Sequence, residues 1–153
     1  MKLWEGLGYY NRVRNMQKAA IQMVEQYGGQ FPESYEEIHA LTGIGNYTAG
    51  AIGSFCVWNT KPAVVGNVLR VVSRILASRE DIMKAKVRTA IETALEEVIP
   101  KDCPGDFNQG LIELGAIVCV PNGEPKCEIC PAAEICRARK EGIAMELPVK
   151  TKQ

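Results

Sequence analysis

The feature that most constrains how this chain can fold is a group of four cysteines near its C-terminus. Cys119, Cys127, Cys130 and Cys136 fall within eighteen residues, and Pro131 follows the third. This spacing brings four thiolates within reach of one centre, which suits either zinc or an iron–sulfur cluster. Only one close Cys-x-x-Cys pair occurs, so a [4Fe–4S] cluster is favoured over a structural zinc ion. Four reduced cysteines without a ligand are the remaining alternative.

The rest of the sequence indicates a protein of the cytoplasm, by our prediction the bacterial cytoplasm with activity on the nucleoid. No apolar run reaches the length of a membrane span, and Met1–Gly6 lacks the build of a signal peptide. Thiols stay reduced in that compartment, which makes a disulfide framework the weaker explanation for the cysteines. Eighteen basic residues balance eighteen acidic ones. Binding to nucleic acid would therefore depend on local patches and backbone donors rather than on overall charge.

Apolar residues recur at helical spacing along most of the chain, and no alternating segment indicates a strand. The periodicity predicts an all-α fold with short connections. Gly28-Gly29 should end the first long helix, and Ser34 with Glu37 forms a capping box for the next. The expected caps of later helices are Asn46, Asn67 and Asp106 with Gln109, and a further helix should run from about Lys84 to Pro100.

A glycine hairpin, Leu41-Thr42-Gly43-Ile44-Gly45, stands directly before the helix expected at Asn46. Its two glycines permit backbone conformations that place N–H groups at the mouth of that helix, where they can hold a phosphate oxygen. A monovalent cation is a candidate companion at this hairpin. Phosphate binding of this kind does not depend on the base sequence. The alternative is a tight turn between two helices with no ligand.

Six motifs occur in a characteristic order, and they extend over nearly the whole chain. They are Trp4-Glu5-Gly6-Leu7-Gly8-Tyr9-Tyr10, Arg14-Asn15, the hairpin, Gly66-Asn67-Val68, Phe107-Asn108 and the cysteine group. In this order they resemble A/G-specific adenine DNA glycosylases of the helix-hairpin-helix, iron–sulfur base-excision repair superfamily. The first cysteine gap is one residue longer than the six-residue gap of familiar members, which fits an insertion between Val120 and Lys126.

The resemblance implies a helix-hairpin-helix DNA glycosylase fold, here a partial six-helix module over residues 1–105. A small [4Fe–4S] module would follow over 106–144, and a C-terminal linker would start within 145–153. The chain would then be a central segment, with family helices before Trp4 and a further domain after Gln153. Apolar faces left uncovered in such a segment predict self-association.

The implied reaction removes adenine mispaired with 8-oxoguanine or guanine in double-stranded DNA. The adenine is flipped out, a glutamic acid protonates its ring, and an aspartate stabilises the sugar cation. A lysine after the hairpin marks the lyase branch of the superfamily, whereas this chain has Tyr47, which indicates the monofunctional branch. Asn67 belongs to the same catalytic motif. Alternatively, Tyr47 is a half-buried aromatic residue at a helix start.

Val65 stands where the family's aspartate belongs, and the family's glutamate would precede Trp4. Loss of either group should cost on the order of a hundredfold or more in rate, so we expect no useful excision by this chain. The alternative function is a non-enzymatic DNA-binding iron–sulfur module. A more remote one is a helical cluster-binding protein without DNA recognition.

The remaining expectations concern contacts with DNA. Tyr9 and Tyr10 sit where the family places an aromatic wedge in the duplex, although one of the pair could pack in the core instead. Phosphate contacts are expected from Arg14, with Arg12 and Lys18 beside it, and from hairpin residues Leu41, Gly43, Ile44 and Gly45. Five further basic residues are either DNA-facing or solvated: Arg70, Arg74, Arg137, Arg139 and Lys140.

Overall fold

The computed structural model describes residues 2–151; Met1, Lys152 and Gln153 lie outside the described residues. Within that range the chain is all-α, as predicted, with no strand and one isolated parallel bridge between Asp81 and Val149. None of its described helices combines the length and apolar character needed to cross a membrane. The helices are α1 (Tyr10–Tyr27), α2 (Tyr35–Ala40), α3 (Asn46–Cys56), α4 (Gly66–Ile75), α5 (Ala85–Val98), α6 (Pro104–Glu113) and α7 (Arg137–Lys140).

Shorter helical turns complete the architecture. A π-helical segment, Leu114–Val118, continues α6 and leads directly into Cys119. Single 3-10 turns occur at Lys2–Trp4, Cys127–Ile129 and Ala144–Glu146.

Two of the predicted helix boundaries are confirmed by the backbone. Helix α1 ends at Tyr27 because Gly28 and Gly29 adopt left-handed conformations, with φ of 60° and 81°. Helix α2 begins after Ser34, whose Oγ accepts a hydrogen bond from the backbone N–H of Glu37 at 3.2 Å. The Ser34 hydroxyl also donates to the Glu37 carboxylate, so a hydrogen bond joins the two side chains of the capping box.

The three other predicted N-caps are wrong. Helices α3 and α4 are preceded by extended Gly45 and Val65, so each predicted cap lies inside its helix. The side chain of Asn67 is occupied elsewhere, as described below. Helix α6 starts before Asp106, because Pro104 takes the first helical position, where its lack of an N–H costs nothing.

Helix α4 is the centre of the fold. Seven consecutive residues, from Val68 to Arg74, are buried in it, and it packs against α5, α6, the π-helical segment and α7. Its apolar side chains build one core with the α4–α5 connection and α5, and burial of such surface is the main force that holds the helices together. The core residues are Val68, Leu69, Val72, Ile82, Ile91 and Leu95.

The C-terminal segment lies against the turn between α4 and α5. The Leu147 side chain is 2% exposed. The backbone N–H of Ile82 donates to the Val149 carbonyl at 3.1 Å, and Arg79 pairs with Glu146 at 2.8 Å. Residues up to Val149 are therefore packed on the helical body, and the predicted domain boundaries at 105 and 144 stay predictions.

Candidate functional site

The hairpin presents backbone donors at the N-terminal end of α3. Gly43 has φ of +83°, a conformation that favours glycine, and buried Leu41 accepts a hydrogen bond from the N–H of Ile44 at 3.1 Å. Gly45 is extended and accepts from the N–H of Ala49, which starts the helix. Among residues 2–151, no protein acceptor takes the N–H of Gly43 or Gly45. These two donors at a helix N-terminus can bind an anion.

The aromatic loop lies at the start of α1. Tyr9 is left-handed, with φ of 49°, and 80% exposed, and the guanidinium of Arg12 lies 5.6 Å from its ring centroid. The Tyr10 hydroxyl accepts from the N–H of Gly6 at 3.1 Å, while Trp4 Nε1 donates to the Gly8 carbonyl at 2.9 Å. Neither tyrosine packs in the core, since Tyr10 is also 41% exposed. The loop therefore holds two accessible aromatic rings on an internally bonded backbone.

The predicted catalytic residues do not converge on one cavity. Tyr47, in the first turn of α3, lines a groove between α1, the hairpin and α3, together with Arg12 and Asn15. Val65 is not among the residues that line this groove. Its side chain instead packs against the apolar core beside α4. The position that should supply a carboxylate is thus an apolar contact.

Asn67 connects α4 to the helix that leads to the cysteines. Its Oδ1 accepts from Arg70 Nη2 at 3.0 Å, and its Nδ2 approaches the Ile112 carbonyl at 3.4 Å. Arg70 Nε in turn donates to the Cys119 carbonyl at 2.9 Å. The π-helical segment comes close enough that a Cβ on Gly115 would lie 2.6 Å from Asn67 Cβ. Asn67 therefore serves the packing of α4, which explains why it does not cap the helix.

Arg74 binds the cysteine loop and the C-terminal segment at once. Its Nη1 lies 3.2 Å from Cys119 Sγ and 3.1 Å from the Val120 carbonyl, and its Nε donates to the Leu147 carbonyl at 2.9 Å. The Cys136 thiol approaches the Arg74 carbonyl at 3.5 Å. One buried side chain thus satisfies carbonyl groups from two segments that are distant in sequence.

The four predicted cysteines line one cavity, whose other walls are mostly apolar. Burial raises the pKa of the Cys127 thiol, and the neighbouring thiols of Cys136, Cys130 and Cys119 raise it further. All four cysteines are free and partly buried. Four thiols around an apolar cavity are a donor set that fits an iron–sulfur cluster.

The four thiols are not drawn together around one metal position. Within residues 2–151, no three Cys, His, Asp or Glu side chains are grouped closely enough to hold one metal ion. Zinc would require four sulfur atoms at about 2.3 Å from one centre.

Two of the five basic residues expected to face DNA or solvent are buried. Arg70 and Arg74 are 3% and 4% exposed, and burial lowers the pKa of Arg70. Their position on α4 is a signal that the sequence contained, because most of the residues around them are apolar. By contrast, Arg137, Arg139 and Lys140 are exposed on α7.

Comparisons with known proteins identify relatives of the whole segment. No protein-family model matches the chain. Adenine DNA glycosylase of Schizosaccharomyces pombe is 40% identical over 143 residues, or 92% of this chain and 31% of the relative. The Homo sapiens enzyme is 41% identical over 91% of this chain and 26% of the relative. The enzyme of Buchnera aphidicola subsp. Schizaphis graminum is 35% identical over 99% and 43%. The chain thus spans between a quarter and less than half of these relatives.

Solved structures match the fold. A thermostable thymine-DNA glycosylase superposes with a TM-score of 0.74 at 27% identity, covering 86% of this chain and 59% of that one. Endonuclease III in a non-covalent DNA complex gives a TM-score of 0.71 at 30% identity, covering 90% and 62%. The chain is therefore homologous to a segment of the adenine DNA glycosylases, and it has the helix-hairpin-helix fold of the DNA glycosylase structures that it matches.

Proposed function

We propose that this chain forms the DNA-binding part of an adenine DNA glycosylase of base-excision repair. Its ligand is double-stranded DNA with adenine opposite 8-oxoguanine or guanine. The observation that carries the proposal is the hairpin, whose Gly43 and Gly45 N–H groups have no protein acceptor within residues 2–151 and stand at the start of α3. The similarity of the chain to adenine DNA glycosylases supports the proposal.

The proposed binding mode uses few charges. The two backbone donors hold a phosphate, with a monovalent cation as a candidate companion. Arg14 is exposed on α1, next in sequence to Asn15, which lies against Gly43. Tyr9 offers an exposed ring that could fill the gap left by an extruded base. Since each neutralised phosphate adds to the dependence of affinity on salt, we expect a shallow dependence for this chain.

In this proposal, Cys119, Cys127, Cys130 and Cys136 hold a [4Fe–4S] cluster. The cluster would cross-link the cysteine loop and so contribute to folding of this part of the protein. The extra residue of the first gap lies in the loop between Cys119 and Cys127, outside the ligands themselves. The proposed compartment is the cytoplasm, where the thiols are kept reduced.

This chain is further proposed to lack excision activity of its own. Positive charge develops on the sugar when an N-glycosidic bond breaks, and a nearby carboxylate stabilises it. Val65 supplies no charge and packs on the core.

Binding and excision should be measured on the same duplex. We expect the chain to bind a duplex with a single A:8-oxoguanine pair, with weaker binding as salt rises, and to release no adenine in a single-turnover assay. Excision at the rate of a full-length adenine DNA glycosylase assayed in parallel would contradict the proposed inactivity. Absence of salt-dependent binding would contradict DNA recognition.

The second candidate is a DNA-binding iron–sulfur module without catalytic chemistry, and the apolar packing of Val65 favours it. The variant Val65→Asp tests for the enzyme segment. Excision gained by Val65→Asp, but not by the isosteric control Val65→Thr, indicates an enzyme segment that lacks one carboxylate. Unchanged binding with no excision in both variants is expected for the module, and also for an enzyme segment that still needs the glutamate expected before Trp4.

Self-association is a further part of the proposal. Apolar side chains on α1, including Met16 and Val24, are 58% and 66% exposed. Exposed apolar surface of this kind favours contact with a second copy. Light scattering should show species larger than a monomer, and a clean monomer at high concentration would refute this part.

A further inference from the structure

Gln22, a residue of α1 with no assigned role, is bonded to the hairpin. Its side-chain Oε1 lies 2.8 Å from both the backbone nitrogen and the Oγ1 of Thr42. The backbone N–H can only donate, so the Gln22 atom that faces Thr42 must be the oxygen, and it accepts two hydrogen bonds. This pair joins residues that are twenty positions apart.

The same face of α1 makes a second contact with the hairpin. Asn15 lies against Gly43 so closely that a Cβ added to Gly43 would be 2.5 Å from Asn15 Cβ. Asn15, Ala19 and Gln22 are spaced i, i+4 and i+7, which places them on one stripe of the helix. Ala19, between the two contacts, is the one residue of α1 with a buried side chain. This stripe, Asn15–Ala19–Gln22, is the face by which α1 holds Thr42 and Gly43.

The other end of α1 carries the aromatic loop. Tyr10 is the first helical residue, and Arg12 in the first turn lies over the ring of Tyr9. Since a helix rises by about 1.5 Å per residue, the contact at Asn15 lies roughly 7.5 Å along the axis from Tyr10. A rigid helix fixed to the hairpin therefore sets the distance between the exposed rings and the hairpin N–H groups.

We infer that Gln22 is a positioning residue, which locks the hairpin to α1 so that the aromatic loop and the phosphate-binding N–H groups meet DNA at a fixed separation. The inference rests on the proposed DNA binding. It adds a residue that touches no DNA itself and acts through Thr42. Without Gln22 the hairpin keeps its own turn but loses its hydrogen bonds to the helix, so that only the packing of Asn15 on Gly43 remains.

The test uses the full chain and the variants Gln22→Leu and Gln26→Leu. Gln26 is exposed on the same helix, four residues further along, and provides a matched control. In the protein without DNA, we expect amide exchange of Thr42 to accelerate about tenfold or more in Gln22→Leu, because its acceptor is removed, and to remain unchanged in Gln26→Leu. Affinity for the A:8-oxoguanine duplex should fall about tenfold in Gln22→Leu alone.

Two further variants separate positioning from general damage. Gln22→Glu keeps an acceptor oxygen, so it should restore protection of the Thr42 amide. Thr42→Val removes the hydroxyl donor and leaves the backbone bond, so its losses of protection and affinity should be intermediate. These variants keep the inference testable if Gln22→Leu folds poorly, since all of them can be compared by circular dichroism and thermal midpoint.

The inference and the proposed function fail in different ways. Unchanged Thr42 exchange in Gln22→Leu overturns the inference, whatever the DNA result. Faster exchange with wild-type affinity also overturns it, because the hairpin would then bind without its attachment. If the unaltered chain and Gln26→Leu both fail to bind the duplex, the proposed function itself is overturned, and the positioning role in DNA binding with it.

Discussion

Helix α1 and helix α4 are held in the fold by different kinds of contact. In α4, seven consecutive residues are buried, and apolar side chains dominate the contacts with α5. In α1, Ala19 alone is buried, and the helix is attached through Gln22–Thr42 and Asn15–Gly43. Directed contacts fix an orientation with little buried area, whereas apolar packing supplies stability. On the side that would meet DNA, directed contacts fix the orientation of α1 relative to the hairpin. On the side near the cysteines, apolar packing of α4 supplies most of the stability.

Truncation of a side chain on α4 and of one on α1 should give the largest difference in the free energy of unfolding. Leu69 is 2% exposed within the α4 core, so Leu69→Ala should lower the free energy of unfolding by about 3 kcal/mol. Val24 on α1 is 66% exposed, and Val24→Ala should change it by less than about 0.5 kcal/mol. Urea denaturation measures both, and equal losses would remove the distinction between the sides.

The attachment of α1 should depend on one glycine. Gly43→Ala places a Cβ against Asn15 and forces a side chain into φ of +83°, which should cost about 2 kcal/mol and raise amide exchange throughout α1. Gly45 has no atom within 4 Å of an added Cβ and a negative φ, so Gly45→Ala is the matched control, expected within about 0.5 kcal/mol of wild type. A similar cost for both variants would contradict the tight contact.

Removal of the capping box of α2, which belongs to neither α1 nor α4, should lower the stability by a smaller amount. Ser34→Ala removes the acceptor for the Glu37 N–H and should lower stability by about 1 kcal/mol. Ser34→Thr keeps a hydroxyl and should recover most of the loss. Thermal unfolding of the three proteins checks this, and a neutral Ser34→Ala would show that α2 is stabilised by its packing on α3 instead.

The smallest expected effect concerns pH and the C-terminal segment. A hydrogen bond from Thr151, followed by the Met83 N–H, lowers the pKa of Asp81 below its ordinary value of 3.8. The folded pKa is depressed, so this carboxylate contributes stability above pH about 3.8, and the contribution is lost as pH falls through the lower folded value. Titration of the Asp81 carboxyl by NMR should show a rise in pKa in Thr151→Val, and an unchanged value would refute the contact.

Local patterns predicted the helices well but not their partners. The helix-breaking Gly28-Gly29 pair and the Ser34–Glu37 capping box act through neighbours in sequence, and both predictions are confirmed. Asn67 also looked like a cap, yet Arg70 and the Ile112 carbonyl occupy its side chain. The Ile112 carbonyl lies forty-five positions away, and no local pattern contains that contact.

The candidate site shows the same limit. The spacing of the cysteines sufficed to predict that they share one cavity, because all four lie in one short segment. Gln22 was missed since nothing in its surroundings distinguishes it from the exposed Gln26. Arg74 was expected at a surface, and its burial follows from carbonyls at Val120 and Leu147 that need donors.

The contacts of the two buried arginines of α4 form late during synthesis of the chain. Arg70 donates to the Cys119 carbonyl, which is 49 positions further along the sequence, and Arg74 donates to the Leu147 carbonyl, which is 73 positions further along. The hairpin and its attachment to α1, which join residues about twenty positions apart, can form long before those acceptors leave the ribosome. During synthesis the two arginine side chains therefore stay without these acceptors beside a finished hairpin, and the parts of α4 that later contact the cysteine loop and the C-terminal segment stay exposed until those segments emerge.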